Sequence, residues 1–495
     1  MATNKRQNFL GKFIADNKQY PILAAIAAGS YPILFYYSNN YTLINTWSHL
    51  AYFVFVFLLI PIVVFVIAHR LSKLPLFSKW RNYVLPFLNI FVFLFLLKVC
   101  LYAGIQKKIS LGILIIAVLF ALFLYKHFKK LIVIQLILVI IGVFTLVPIV
   151  IKQLNYSKEW MKQPDDIEQV VFKKKPNVYF IQPDGYTNFS ELKKGVYNID
   201  NIDFENFLKK NNFKNYDNFR SNYASTLSSN SSTFMMKHHH YNRGSNFNEA
   251  LHARNIIISK NTVLDVFKKN NYKTYFITEM PYLLLNRPKL GYDNCNFSYS
   301  DISYIGSGFN NLREIKPYLI KYLNDDIGKP KFFFIEMFNP GHIQNKKRNS
   351  EGLEKEKEKW ANSLMRANSK LKEIVSVITD SDDNALIIIM ADHGGFVGFS
   401  YAEQVYIKTQ DRKKIYSMFS SILTIRWPKG LAPEFDNKFK TSVNVFRILF
   451  SYLSEEISYL SNLQPDDSYM IIYKGAPKGI YQYIDGNGKI TFKKH

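Results

Sequence analysis

Three apolar runs of this chain each end in a side chain able to ligate a metal. Run 177–183 is followed by Asp184, Lys331–Met337 by His342 a few residues on, and 386–391 by Asp392 and His393. Taken singly, Asp184 reads as a turn former and His342 as a hydrogen-bonded polar side chain. Brought together, two carboxylates and an imidazole form a ligand set for a divalent ion. A fourth segment, Ser221-Asn222-Tyr223-Ala224-Ser225-Thr226-Leu227-Ser228-Ser229-Asn230, is rich in hydroxyls. By composition it is an ordinary loop or helix cap. A Ser or Thr hydroxyl is a weak nucleophile until a base or metal favours its alkoxide, and Asp184, Asp392 and His393 would supply the metal. At the start of a helix such a hydroxyl would also face backbone amides suited to an incoming phosphate.

Residues this far apart in sequence meet only if the fold gathers them. In open α/β sheets, sites form in the crevice beyond the carboxyl ends of the strands, where all three runs end. Past residue 176 strand and helix signals alternate, with helices expected over 204–211, 262–270, 351–379 and 442–453. Further strands are expected over Lys273–Thr278 and 419–427. The pattern predicts a mainly parallel central sheet with helices on both faces. No fixed-period repeat is visible.

The first 151 residues are chemically different. They carry 14 Lys or Arg against one acid, Asp16, and so +13 of the total +25. Five apolar runs, 17–38, 46–68, 84–105, 110–125 and 131–151, each approach the ~20 residues that cross a bilayer, the fourth being the shortest. The spacing predicts a five-helix transmembrane bundle at 1–151, a polar juxtamembrane connector at 152–176 carrying Trp160 and one short interfacial helix, and a catalytic domain at 177–495. Short cytoplasmic loops retain Lys and Arg. Lys5, Arg6, Lys12 and Lys18 precede the first run, Arg70, Lys73, Lys79 and Arg81 follow the second, and Lys126, Lys129 and Lys130 follow the fourth. These belong inside, which puts the N-terminus inside and 152–495 outside, against a minor violation at Lys107 and Lys108. A signal peptide fits the first run less well, because it lacks a clear cleavage site and four more runs follow. Lys98, within the third run, is expected to snorkel to the outer interface.

Cys100 lies in a span and Cys295 is the sole cysteine beyond it, so the outer domain holds no internal disulfide. A domain of ~320 residues can rely on packing instead. The positive charge is mostly topology plus a basic outer domain suited to anionic lipid heads. No nucleic-acid recognition motif appears. The bias toward Asn, Lys, Ile and Phe suits an AT-rich bacterial genome.

The ordered set Asp184-Gly185, Asn-Tyr-x-x-Thr at 222–226, His342, and Ala391-Asp392-His393-Gly394 resembles the alkaline phosphatase superfamily. Within it the chain is similar to the sulfatase-like branch of lipoteichoic acid synthase and the phosphoethanolamine transferases, which also place a catalytic domain behind five spans. The runs 422–428 and 442–447 resemble that branch's closing strand and helix. The resemblance implies an α/β sulfatase-like domain in which Asp184, Thr226, Asp392 and His393 hold one divalent cation, Mn, Zn or Mg. It also implies Thr226 as the nucleophile and His342 as the residue that contacts the transferred phosphoryl group or protonates the leaving oxygen.

Thr226 is followed by Leu227, Ser228, Ser229 and Asn230, without the Pro and Arg that direct formylglycine formation in sulfatases, so sulfate-ester hydrolysis by that route is not expected. A phosphorylated Thr would permit two displacements. The expected activity is a membrane phosphotransferase at the bacterial cytoplasmic membrane. It would move a phosphoglycerol- or phosphoethanolamine-type head group from phospholipid to an envelope glycan or glycolipid. A phosphoester hydrolase and a catalytically silent scaffold are the alternatives. The lack of disulfides favours the lipoteichoic acid synthase side of the analogy, and no ligand set for a second metal is seen. His238-His239-His240 is expected to be solvent-exposed or to line the substrate pocket. Arg243 could grip a phosphate, and the charges over 354–359 form a solvated helix face.

Overall fold

The computed structural model describes residues 9–102, 106–243, 250–306, 308–309, 311–325 and 328–495. Lys5, Arg6 and the side chain of Arg243 lie outside the described part. The chain divides into two compact units, one of Met1–Asn155 with Ser303–Gly306, the other of Tyr156–Ile302 with Ser307–His495.

In the first unit four helical stretches, Pro21–Ile44, Trp47–Leu71, Pro75–Leu101 and one built on the helix Phe128–Leu154, are long and apolar enough to cross a membrane. The remaining apolar run forms the helix Lys107–Phe123, whose 17 residues rise only ~26 Å against the ~30 Å of a bilayer core. Small residues let the helices approach: Ala24, Ala25, Ala27 and Ala28 are fully buried. A buried amide pair ties three helices together, with Asn89 Nδ2 donating to Ala24 O (2.8 Å) and to Gln135 Oε1 (2.9 Å). Lys98 is 4% exposed, with its ammonium 5.2 Å from the centre of the Phe95 ring. At one end of the unit Gln19 Nε2 donates to Arg81 O (3.3 Å) and Lys129 pairs with Asp16.

The second unit is built on a seven-stranded sheet. Its strands are β1 (Val178–Pro183), β2 (Phe213–Asn215), β3 (Lys273–Thr278), β4 (Asn294–Cys295), β5 (Lys331–Met337), β6 (Leu386–Met390) and β7 (Leu423–Arg426). Their order is β2-β7-β6-β1-β5-β3-β4. β1 runs parallel to both β5 and β6, whereas β7 is antiparallel to its neighbours. The central strands β1, β5 and β6 are buried at every position, so they read as near-continuous apolar runs, interrupted only by Gln182, Lys331 and Glu336, rather than alternating ones. Phe419 closes the helix Arg412–Phe419, which leaves β7 shorter than 419–427.

One face of the sheet is covered by the helix Leu353–Ser381, whose buried residues Trp360, Leu364, Ala367, Leu371, Ile374 and Ile378 recur at helical spacing. The other face carries the helices Thr226–Met235 and Val445–Ser454, with Phe234 and Phe446 packed on Phe180. Glu356 departs from the solvated face expected over 354–359. It is 1% exposed and accepts from the Gln344 and Glu351 amides at 3.0 and 3.1 Å.

A three-stranded antiparallel sheet, β8 (Ser468–Ile472), β9 (Gly479–Ile484) and β10 (Ile490–Lys494), ends the chain and had no counterpart in the sequence reading. The segment 156–176 forms two single turns, Glu159–Met161 and Ile167–Gln169, instead of one interfacial helix. As part of the second unit it is held by Phe172, buried against Phe267 and Phe450, and by Asp165, whose Oδ2 accepts from buried Arg447 at 2.5 Å.

Candidate active site

The loops after β1 and β5 cross at two glycines. The Asp184 amide donates to Met337 O (2.8 Å), and Gly341 N returns a bond to Asp184 O (2.8 Å). Gly185 has φ +65°, and a Cβ there would lie 2.1 Å from Gly341 O, so no other residue fits the turn. Trp360 Nε1 donates to the same carbonyl at 2.8 Å. Beyond β6, Asp392 Oδ1 accepts from the Gly185 and His393 amides at 3.2 and 3.0 Å. The sheet thus fixes both aspartates through backbone bonds.

His393 Nδ1 donates to Gly394 O (2.8 Å). That bond aims Nε2 at Asp184 Oδ1 (3.3 Å) and Asp392 Oδ2 (3.4 Å). The three ligand atoms lie within 4.8 Å of one another. Those two carboxylate oxygens are buried and have no hydrogen-bond donor, a costly arrangement unless a cation sits among them. Burial, then the neighbouring Asp392 charge, pushes the Asp184 carboxyl well above the usual carboxylate range. Burial opposes a charge on His393, yet Asp392 and Asp184 outweigh it and raise the ring. A divalent ion would relieve all three groups at once, and a backbone-bonded Nδ1 with a free Nε2 is the usual posture of a histidine ligand. The donor set therefore fits a divalent metal.

Thr226 opens its helix. Thr226, Asn230 and Phe234 form one stripe, a turn (~5.4 Å) apart. Phe180 and Gln182 form one row on β1, ~6.6 Å per step, and Asp184 follows in the turn just beyond the strand. The Phe234 ring packs on Phe180 (5.9 Å) and on Phe334 (5.0 Å), which sets the register of helix on sheet. Thr226, His342 and His393 line one cavity of about 600 Å³. His342 Nδ1 donates to Ile343 O (2.7 Å) while its ring stacks on Phe396 (5.2 Å). Burial, then proximity to His393, lowers its pKa to about 4, so the ring is neutral at pH 7.

Several residues of this neighbourhood escaped sequence reasoning. Glu336 faces the same side of the sheet as Gln182, its register partner on β1. It accepts from Thr278 Oγ1 (2.9 Å), and burial pushes its carboxyl well above the ordinary range. The signal was an acid inside the run Lys331–Met337. Tyr473 and Lys474, just past β8, line the cavity with Lys346 and Tyr406, and no sequence signal marked them. The histidine tract departs from expectation: His238 and His239 are 5% and 1% exposed and lie outside the cavity that Thr226 lines.

No protein-family profile and no curated protein matches the chain. Solved structures are similar to it. The C-terminal periplasmic domain of EcEptC from Escherichia coli is 12% identical over 65% of this chain and 97% of that one, with a TM-score of 0.43. The same domain in complex with Zn overlaps 64% and 96%, at the same identity and score. The lipoteichoic acid synthase LtaP from Listeria monocytogenes is 12% identical over 66% and 91%, with a TM-score of 0.41. The integral membrane lipooligosaccharide phosphoethanolamine transferase A (EptA) from Neisseria meningitidis is 10% identical over 88% and 95%, also at 0.41. The overlap is loose, and the chemistry of the site rests on the chain's own residues.

Proposed function

We propose that this protein is a membrane-anchored, metal-dependent phosphotransferase in which Thr226 is the nucleophile. It takes a phosphoglycerol- or phosphoethanolamine-type head group from phospholipid and passes it to an envelope glycan or glycolipid. The observation that carries this reading is the convergence of Asp184 Oδ1, Asp392 Oδ2 and His393 Nε2 beside the cavity that Thr226 lines.

Asp184, Asp392, His393 and the Thr226 oxygen would hold one divalent ion, which would lower the hydroxyl's pKa and offset charge on the phosphoryl oxygens. Thr226 Oγ1 attacks phosphorus, gives up its proton, and the bond to the glyceride oxygen breaks. An acceptor hydroxyl then attacks the phosphothreonine, loses its proton, and the bond to Thr226 breaks. The glyceride and threonine oxygens regain the two protons, so transfer is neutral overall. His342, neutral and with Nδ1 committed to Ile343 O, offers Nε2 as the acceptor of the attacking hydroxyl's proton. Amides of the helix's first turn face the phosphoryl group.

Five crossings from an inside N-terminus complete the proposal, with the catalytic unit on the outer side of a bacterial cytoplasmic membrane. The bonds Gln19–Arg81 and Asp16–Lys129 gather residues 16–19, 81 and 129 at one end of the first unit. The short helix Lys107–Phe123 thus returns the chain to the end from which Arg81–Leu101 departs.

The test is full-length protein in proteoliposomes with head-group-labelled phospholipid. Diacylglycerol release that requires an acceptor, together with a Thr226 phosphodiester trapped for mass spectrometry, is the expected result. Undiminished release by Thr226→Ala would overturn it, and release to water alone would make the protein a hydrolase.

A further inference from the structure

The tract His238-His239-His240 is the motif that the proposed chemistry leaves unused. Its first two rings are bonded at both nitrogens. His239 Nε2 contacts Ser228 O (2.9 Å), and its Nδ1 accepts from the Tyr241 amide (2.8 Å). A carbonyl only accepts and a backbone N–H only donates, so the ring is the tautomer protonated at Nε2. By the same reasoning His238 Nε2 donates to Pro465 O (2.8 Å), and its Nδ1 accepts from the Tyr223 hydroxyl (3.2 Å). That hydroxyl in turn accepts from the His240 amide (3.1 Å). With both nitrogens engaged, neither ring is free to bind a metal ion.

These bonds converge on the start of one helix. The Tyr223 ring stacks on His239, with centroids 4.1 Å apart and planes 18° from parallel. Trp160 meets the His239 ring edge-on at 5.7 Å. Tyr223 O accepts from Ser229 Oγ (2.6 Å). The brace therefore grips the chain three residues before Thr226, at Tyr223, and two and three residues after it, at Ser228 and Ser229. The helix needs such support, because Ser225 at its N-cap makes no capping bond, and an uncapped first turn frays. His239 holds the turn by a carbonyl. The amide donors of that turn stay free for a phosphoryl group, which a side-chain cap would have occupied.

We infer that His239, with Tyr223 stacked on it, is a positioning residue that fixes the direction in which Thr226 presents its hydroxyl to the metal ligands. The inference rests on the reading of Thr226 as nucleophile. A displacement of ~1 Å at a reacting atom costs ~10²-fold in rate, so the brace acts on turnover rather than on substrate affinity.

The test uses the full chain in detergent, with phospholipid turnover and bound metal measured side by side. His239→Phe keeps the ring stack and removes both hydrogen bonds. Its kcat should fall about 10²-fold, with KM and metal content unchanged. His239→Gln, whose amide can reach Ser228 O, should recover at least about tenfold of that loss. Ser229→Ala severs the companion bond to Tyr223 O and stands in if the Phe variant does not fold; its kcat should fall by about tenfold. A folded His239→Phe or Ser229→Ala protein with wild-type kcat, or one that loses its metal, overturns the inference. Thr226→Ala, run in parallel, separates the two readings: if it is inactive while His239→Phe is fully active, only the brace fails, and if it is fully active, the nucleophile assignment fails first.

Discussion

Asp184 and Asp392 illustrate how a fold can hold a group in a state that only a ligand makes comfortable. Asp392 Oδ1 is satisfied by two amides, yet its Oδ2 and Asp184 Oδ1 meet only an imidazole nitrogen. Metal should therefore bind folded protein far better than unfolded chain and raise its melting temperature, by RT ln(1 + [M]/Kd) in free energy. Asp392→Asn keeps the shape and removes the charge. We expect its metal affinity to fall by ~10²-fold or more, and the rise in melting temperature with added Mn or Zn to vanish in a thermal-shift titration. A full thermal shift in the variant would show that the aspartate does not hold the ion.

At the scale of the element, the helix that opens with Thr226, the proposed nucleophile, is set by what it packs on and by what is proposed to brace it. Phe234 is fully buried between Phe180, Phe334 and Phe446, and Phe234→Ala should cost about 3–5 kcal/mol by chemical denaturation. The same stripe carries Thr226, so activity should be lost at temperatures where the variant is still folded. The histidine brace predicts a pH dependence. Burial is the largest cause that lowers His238 to about 4 and His239 to about 3, from 6.5. Between pH 6.5 and these values the unfolded chain binds more protons than the folded one, so stability falls as pH falls, by up to about 1.4 kcal/mol per pH unit for each ring. His239→Gln should remove one ring's share of that slope, measured as the difference from wild type across the acid range. Equal slopes would mean that the ring is not held neutral.

The molecule as a whole joins an apolar helical unit to an α/β unit, and the proposed chemistry requires them on defined sides of a bilayer. Five crossings put the catalytic unit opposite the N-terminus, whereas four would put both on one side. In a protein otherwise lacking cysteine, a membrane-impermeant maleimide applied to intact cells should label Ile457→Cys, which is exposed, and leave Lys12→Cys unlabelled until the membrane is opened. Labelling of both, or of Lys12→Cys alone, would refute the five-span arrangement.

The sequence by itself determined what period and chemistry can write into a chain. Near-continuous apolar runs at 178–183, 331–337 and 386–390 are legible because parallel strands covered on both faces are mostly apolar, and an acid or imidazole shortly after such a run is conspicuous. The five apolar runs and the helix 353–381 were legible for similar reasons of length and period. What only the tertiary structure decided depends on contacts between distant segments. The antiparallel strand β7, the cavity wall from Tyr473 and Lys474, and buried Glu356 leave no periodic trace. The histidine tract shows the limit most clearly. Three consecutive imidazoles look like ligands or a polar surface in one dimension, and the first two are instead buried because Pro465, Ser228 and Tyr223 arrive to engage their nitrogens. A side chain's role is set by its hydrogen-bond partners, and those are chosen by folding rather than by neighbours in sequence.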